Sequence, residues 1–83
     1  MKNEKELNQI LAKSPVRIGE QFRHYRTKNV YTVQSLAFRE EDLQLSVNYS
    51  RENSSLVWNR TLENFVEKVI NENGIMVSRF EKI

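Results

Sequence analysis

The chain has 83 residues, enough for one small domain and too few for a large catalytic cleft beside its own core. It has no cysteine and a single histidine, His24, which excludes disulfides, thiolate metal sites and multi-histidine metal sites. Hydrophobic residues make up 39% of the chain and charged residues 29%, a balance typical of globular proteins. No apolar run approaches the roughly 18 residues of a membrane span, and the N-terminus is polar, so we expect a cytoplasmic protein.

Residues 3–13 have the spacing of a short amphipathic helix. The apolar positions that recur every three or four residues are Leu7, Ile10 and Leu11. Asn3 is suited to cap this helix, because Glu6 follows three residues later. The helix should end at Ser14-Pro15, since the residue before a proline avoids the helical region.

Two strands are predicted next, over residues 17–26 and 30–38, with a tight polar turn between them. Gly19 is expected to mark a bend in the first strand. In the second strand the apolar residues change parity between Val33 and Leu36. A β-bulge near Gln34-Ser35 would bring both parities to one face, as a curved sheet requires.

The strongest strand signal lies at residues 43–49, after a charged turn at 39–42. Its apolar residues alternate strictly with polar ones; they are Leu43, Leu45, Val47 and Tyr49. A period of two predicts a strand with one buried and one wet face. We expect this strand to be central, with Leu45 and Val47 in the core.

The C-terminal third allows two interpretations. A strand over residues 55–60 carries Leu56 and Trp58 on one parity. Residues 61–72 then fit a helical stripe with Thr61 as its cap, but 71–74 is a turn signal leading to another strand. We favour a single helical turn at 62–65 followed by a hairpin of residues 66–70 with 75–80.

These elements predict a mainly β fold with a short N-terminal helix. Five or six antiparallel strands with turns roughly every ten residues suit a small barrel or roll, because closure removes exposed edges. We divide the chain into an N-terminal helix and linker (residues 1–15) and a β domain (residues 16–83).

Several short motifs follow one another in the order and spacing of a known family. They are Phe22-Arg-His-Tyr25, Tyr31-x-Val33 with Ala37, Val47-x-Tyr49, Trp58-x-Arg60, Phe65-x-Glu67-x-Val69 and Arg79-Phe80. This succession resembles the bacterial domain-of-unknown-function family 1653 (DUF1653), whose members are small SH3-like β-barrels. The resemblance covers about residues 18–80. It implies an SH3-like antiparallel barrel and supports the C-terminal hairpin, and it implies no established activity.

The chain departs from the family pattern at two turns. Thr61 stands where the family usually has a proline after the arginine, and the turn at residues 51–54 lacks the usual glycine. Both departures concern local turn geometry rather than the fold.

The sequence has no recognisable catalytic constellation. A nucleophile elbow, a glycine-rich phosphate loop with its lysine, and paired histidines are all missing, and the chain has only two glycines, Gly19 and Gly74. The acidic run at residues 40–42 spreads over both faces of an extended chain, which does not suit a metal ion. We therefore expect no enzyme activity, no cofactor and no metal.

Aromatic and basic residues form the one constellation suited to a ligand. The candidates are Arg23, His24, Tyr25, Tyr49, Trp58, Arg60 and Arg79. Aromatic faces and guanidinium groups hold planar or anionic ligands by stacking and charge-assisted hydrogen bonds. The alternative is structural: Trp58 and other aromatics are needed for the small core, with Arg60 packed over Trp58 or paired with Glu63 or Glu67.

Three functions remain open from the sequence. The first is a non-enzymatic interaction module that binds a protein or peptide, a common use of SH3-like surfaces. The second is a nucleic-acid-binding accessory domain that uses the basic stretch at residues 13–28. The third is a domain that binds a small anionic or nucleotide-like ligand. The oligomeric state and the partner are not determined by the sequence.

Overall fold

The computed structural model describes residues 3–83. In chain order the elements are α1 (Glu4–Ala12), β1 (Gln21–His24), β2 (Val30–Phe38), β3 (Leu45–Arg51), β4 (Trp58–Thr61), α2 (Leu62–Phe65), β5 (Lys68–Ile70), β6 (Met76–Ser78) and β7 (Phe80–Lys82). No helix within residues 3–83 has the length and apolar character needed to cross a bilayer.

The strands form one five-stranded sheet in the order β4-β3-β2-β1-β7 and a separate two-stranded sheet of β5 and β6. Within residues 3–83 all strand pairings are antiparallel. The prediction of a mainly β fold with a short helix is confirmed. Of the two predicted forms, the structure has the roll: β4 and β7 are the ends of the larger sheet and do not pair with each other to close it.

Helix α1 begins as predicted, because the side chain of Asn3 accepts a hydrogen bond from the Glu6 N–H at 2.9 Å. None of its residues is buried. The core begins just after the predicted boundary at residue 15, since Val16 is 1% exposed. The division into residues 1–15 and 16–83 stays a prediction.

Strand β1 is shorter than predicted, because the chain bends before it. Gly19 has φ +89°, a left-handed conformation suited to glycine, and its N–H donates to the Val33 carbonyl at 2.9 Å. The predicted bulge in β2 is confirmed: the register of β2 on β3 shifts between Val33 and Ser35. Val33 is thereby buried, while Leu36 packs on the edge of the same core.

Strand β3 is an inner strand, and Leu45, Val47 and Tyr49 are buried as predicted. Leu43 does not continue this face: it lies in the preceding turn with φ +57°, and its N–H donates to the Arg39 carbonyl. The charged turn at 39–42 extends over this residue, so the alternation predicted the strand two residues too early. This part of the prediction is wrong.

The second face of β3 is not wet, which also corrects the prediction. Ser46 is 2% exposed and Ser50 is 9% exposed. Polar side chains of the neighbouring strands cover this face: Gln34 donates to the Ser50 hydroxyl, and Asn59 donates to the Ser46 hydroxyl at 3.0 Å. We call this face, with its amide and hydroxyl side chains, the polar ladder.

Both departures from the DUF1653 pattern have a local explanation. The Thr61 hydroxyl accepts the Asn64 N–H at 3.2 Å and caps α2, which compensates for the missing proline. In the turn after β3, Asn53 adopts φ +64°, a conformation that asparagine tolerates better than most residues. The helical turn at residues 62–65 is confirmed. The hairpin that follows is present, but its strands β5 and β6 are shorter than the predicted 66–70 and 75–80.

The core is aromatic. Phe65 and Phe80 stack in parallel with ring centroids 4.2 Å apart, and the Phe22 and Tyr49 rings pack edge-on against Phe65 at 5.2 and 5.3 Å. Phe80 reaches this position because the last predicted strand breaks at Arg79 and continues as β7 beside β1. The assignment of Trp58 to the core is wrong, since this residue is 52% exposed.

Alanine substitutions at Leu43 and Leu45 test whether β3 begins at Leu45, as observed, or at Leu43, as predicted. Leu45→Ala should lower the free energy of unfolding by about 2–5 kcal/mol, because it removes buried methyl groups and leaves a cavity. Leu43→Ala should cost less than half as much, since this side chain is only partly buried in a turn. Urea denaturation of both variants measures the difference, and equal losses would contradict the start of β3 at Leu45.

Candidate functional site

Three of the predicted ligand-binding residues lie around one ring, that of Phe80. The His24 ring packs edge-on against it at 5.2 Å, and the Tyr49 ring does so at 5.3 Å. The Arg60 guanidinium carbon lies 6.0 Å from the same ring centroid. With Arg79, the neighbour of Phe80 in the chain, these residues form what we call the Phe80 cluster. The expected packing of Arg60 over Trp58 is replaced by packing over Phe80.

Hydrogen bonds engage the guanidinium group of Arg60, and a carboxylate lies near that of Arg79. Arg60 donates from Nε to the Tyr49 hydroxyl at 3.4 Å and from a terminal nitrogen to the Asn64 side-chain oxygen. Asn64 donates in turn to Glu67 at 3.3 Å, and the Glu67 carboxylate lies 3.7 Å from Arg79. A chain of contacts therefore joins β4, α2 and the segment before β7.

This network favours the structural role for the two arginines. Arg79 is 20% exposed along its side chain, and its Nε is buried without a hydrogen-bond partner. A buried guanidinium nitrogen without a partner costs stability, and the Glu67 carboxylate compensates by its charge. The sequence suggests Glu63 or Glu67 as the partner of Arg60 and does not indicate Asn64, because only the helical turn α2 brings Asn64 to Arg60.

His24 organises the turn between β1 and β2. Its Nδ1 accepts the backbone N–H groups of Arg26 and Thr27 at 3.2 and 3.4 Å, which places the proton of the neutral ring on Nε2. Burial is the main reason that the pKa of His24 is lowered from its ordinary value of 6.5, and the charges of Arg60, Arg79 and Arg26 lower it further. The neutral ring is the form that holds the turn.

Tyr25 lies in a groove between this turn and the tip of the β5–β6 hairpin. The groove consists of two adjoining depressions of about 440 and 360 Å³, and both are lined by Tyr25, Lys28 and Asn71. We call it the turn–hairpin groove. Arg26 lines the larger depression, where its guanidinium donates to the Tyr25 hydroxyl at 3.0 Å and lies 5.5 Å from the ring centroid.

Arg23 and Trp58 lie apart from the Phe80 cluster. Arg23 is exposed on β1 and alternates with the buried Phe22, so it faces away from the core. Trp58 lies opposite Tyr49 in the register of β3 and β4, on the same face of the sheet, but at its edge. With Leu56 and Val57 it forms an exposed apolar strip. Leu56 and Val57 are each 61% exposed, and Trp58 is 52% exposed.

The basic residues of the stretch at 13–28 are divided between different surroundings. Arg17 lines an apolar depression beside α1, whereas Arg26 and Lys28 line the turn–hairpin groove. Among residues 3–83 no group of three or more histidine, cysteine or acidic residues is arranged to hold a metal ion.

The free energy of unfolding should fall as the pH is lowered from about 7.5 to about 5.5. In the unfolded chain His24 takes up a proton near pH 6.5. In the folded chain the pKa of His24 is lower, and protonation would remove the acceptor of two turn N–H groups. The stabilisation is complete above pH 6.5 and is lost as the pH falls through the lower pKa of the folded state. Urea unfolding at several pH values measures this slope.

His24→Asn is the control for that measurement, since its side-chain oxygen can accept in place of Nδ1 and does not titrate. Its stability should vary much less over the same range. The pKa of Glu20 is also lowered, chiefly by its hydrogen bond from Lys82, but that effect operates below pH 4.5. A slope in His24→Asn equal to that of the native chain would contradict the assignment.

Arg60→Met should lower the free energy of unfolding by about 1–3 kcal/mol, because methionine keeps part of the packing on Phe80 and loses the bonds to Tyr49 and Asn64. Arg23→Met makes the same change on the exposed face and should stay within about 0.5 kcal/mol of the native chain. Thermal unfolding compares the two. Equal shifts in Tm would rule out the structural role of Arg60.

Comparison with known proteins agrees with the motifs. The DUF1653 family, described as proteins of unknown function, matches residues 20–82. A crystal structure of a DUF1653 protein from Bordetella bronchiseptica is similar to this chain, with a TM-score of 0.68 and 26% sequence identity over 83% of this chain and 88% of that one. A comparison with curated proteins found no match.

The matched residues include every strand and α2 and leave α1 outside. They also include the Phe80 cluster, the turn–hairpin groove and the apolar strip. The resemblance inferred from the motifs is confirmed, and the chain belongs to the DUF1653 family of proteins of unknown function.

Proposed function

We propose that this protein is a non-enzymatic interaction module that binds an extended segment of a partner protein along β4. The observation that carries the proposal is the apolar strip of Leu56, Val57 and Trp58, three consecutive large side chains that are each more than half exposed. The strip leads directly into the edge strand of the larger sheet. An exposed apolar run of this kind on an edge is a docking surface or an aggregation hazard.

The two edges of the sheet differ in a way that supports docking at β4. At the β7 edge, two of the three residues are charged, and Lys82 pairs with Glu20 at 2.5 Å. Charges of this kind protect an edge from pairing with other chains. Residues 54–59 contain no charged residue and no proline. Within residues 3–83, β4 pairs with β3 alone, which leaves its other side available to an added strand.

The register of β4 indicates what the added strand should contain. Trp58 and Arg60 lie opposite Tyr49 and Val47, on the core face, so a partner residue beside Trp58 should be apolar. Asn59 lies on the other face and donates to Asn48 at 2.8 Å within the polar ladder. A partner residue beside it should carry an amide or hydroxyl that extends this ladder. The partner segment should therefore alternate apolar and polar residues.

The other two functions from the sequence have less support. The small-ligand site proposed around Arg60 and Trp58 needs an arginine free to turn toward a ligand, but Arg60 is held over Phe80 by its bonds to Tyr49 and Asn64. The basic residues expected to contact nucleic acid lie in separate surroundings. Peptide binding along β4 uses groups that the fold leaves unpaired.

Selection of binding peptides from a displayed random library tests the proposal. Such a library contains peptides of many sequence patterns, and any of them can be presented to the β4 edge. Selected peptides should alternate apolar and polar residues and should change the fluorescence of Trp58, the only tryptophan of the chain. Methylation of alternate peptide amides should abolish binding, whereas methylation of the intervening amides should not. This period of two is specific to strand addition, since only every second amide faces the neighbouring strand.

Val57→Lys, which places a charge in the apolar strip directly before β4, should abolish binding of the selected peptides. Ile18→Lys is the matched control, because Ile18 is 65% exposed but lies away from β4, in the depression beside α1. The proposal fails if Val57→Lys and Ile18→Lys bind equally well, or if amide methylation has no periodic effect. Sedimentation that shows dimers broken by Val57→Lys would instead assign the edge to a second copy of this chain.

A further inference from the structure

The turn–hairpin groove is lined by cationic side chains and lies apart from the peptide surface proposed along β4. Its larger depression, of about 440 Å³, is within the size range of small-molecule sites, roughly 300–1,000 Å³. Two cationic side chains, Arg26 and Lys28, line it. Neither takes part in any ion pair in the described part of the chain, whose pairs use Arg39, Arg79 and Lys82.

The turn fixes the backbone that carries these cations before any ligand arrives. The His24 imidazole accepts the N–H groups of Arg26 and Thr27, and the Lys28 N–H donates to the His24 carbonyl at 3.0 Å. Arg26 is oriented further by its bond to the Tyr25 hydroxyl, which leaves its other N–H donors for a ligand. A site arranged in advance loses less entropy on binding.

The hairpin supplies a third donor. The side-chain oxygen of Asn71 accepts the N–H groups of Asn73 and Ile75 at 2.9 and 3.0 Å. Because this oxygen is committed to the hairpin turn, the amide of Asn71 offers only its N–H donors to the groove. Two cations and one amide donor then line the same depression.

Glu72 is the one acidic residue that lines the larger depression, so Arg26 and Lys28 leave it with a net charge of +1. The smaller depression contains Lys28 and Glu81 and lacks Arg26, so an anion belongs in the larger one. A phosphate monoester carries close to two negative charges at neutral pH and three acceptor oxygens. It can accept from the three donor groups with one oxygen each, and its charge is close to twice that of a carboxylate.

We propose that the turn–hairpin groove binds a small molecule through its phosphate group, which is held by Arg26, Lys28 and the amide of Asn71. This site is separate from the β4 edge, and neither proposal depends on the other. Glu72 opposes the bound phosphate and limits its affinity.

Glycerol 3-phosphate is the probe, titrated at constant ionic strength and followed by the backbone amide signals of the native chain. Saturable shifts should be confined to residues 24–28 and 70–75. Glycerol and acetate, which supply the alcohol and a monoanion separately, should give no saturable shift. Shifts spread over the basic surface without saturation would overturn the proposal, because they would indicate general attraction of anions.

Variants of opposite charge give the sharper test. Arg26→Gln and Lys28→Gln should each weaken binding at least about fivefold, and Glu72→Gln should tighten it about twofold or more. Lys5→Gln and Glu4→Gln make the same charge changes on α1 and should leave the affinity unchanged. All these side chains are exposed, so thermal unfolding should confirm that the variants fold. Equal effects of Lys5→Gln and Lys28→Gln would refute a specific site.

A short phosphoserine peptide separates the two sources of a phosphate group. Binding no tighter than that of glycerol 3-phosphate, with the same confined shifts, is the expected result. Much tighter binding with shifts beyond the groove would assign the site to a phosphorylated protein and overturn the small-molecule proposal.

Discussion

The stack of Phe65 on Phe80 is the contact on which the rest of the structure depends. Phe65 comes from α2 and Phe80 from β7, and their ring centroids lie 4.2 Å apart. The Phe22 ring packs edge-on against Phe65, and the Tyr49 ring packs edge-on against both. A domain of 83 residues buries little apolar surface, so a few large rings supply most of its core. Because Phe80 is fixed there, the chain on either side of it is fixed as well. Arg79 lies beside Glu67, and β7 completes the sheet next to β1.

The polar groups nearest the core are stabilised by one another rather than by solvent. Arg60, Asn64 and Glu67 form a chain of contacts above Phe80, and His24 gives its one acceptor nitrogen to the β1–β2 turn. In so small a domain an unsatisfied charge at the core would cost a large part of the total stability. These contacts favour a structural role for Arg60 and His24. Surfaces suited to partners lie farther out. At the β4 edge apolar side chains are exposed, and in the turn–hairpin groove the cations have no ion-pair partner within the described residues.

The two proposed surfaces lie on separate elements: one is an edge strand of the larger sheet, and the other lies between the β1–β2 turn and the tip of the β5–β6 hairpin. The partner segment proposed for β4 and the phosphate compound proposed for the groove would use different groups, so the two proposals are compatible. His24 contacts the Phe80 cluster and also holds the turn that carries Arg26 and Lys28. It thus connects the core to the turn that lines the groove, and its protonation would remove the acceptor of two N–H groups of that turn.

The sequence by itself determined the local elements: the cap at Asn3, the bulge after Val33, the strand through Leu45 and Val47, the cap at Thr61 and the hairpin after Phe65. Each depends on neighbouring residues, through periodicity, capping or turn chemistry. Only the tertiary structure decided that Trp58 is exposed, that Leu43 leaves the strand, that Ser46 is buried beneath Asn59, and that Arg60 packs on Phe80 rather than Trp58. These outcomes depend on which strand lies at an edge and which side chain arrives from a distant element. Periodicity marks the face of a strand, but only packing determines what covers that face.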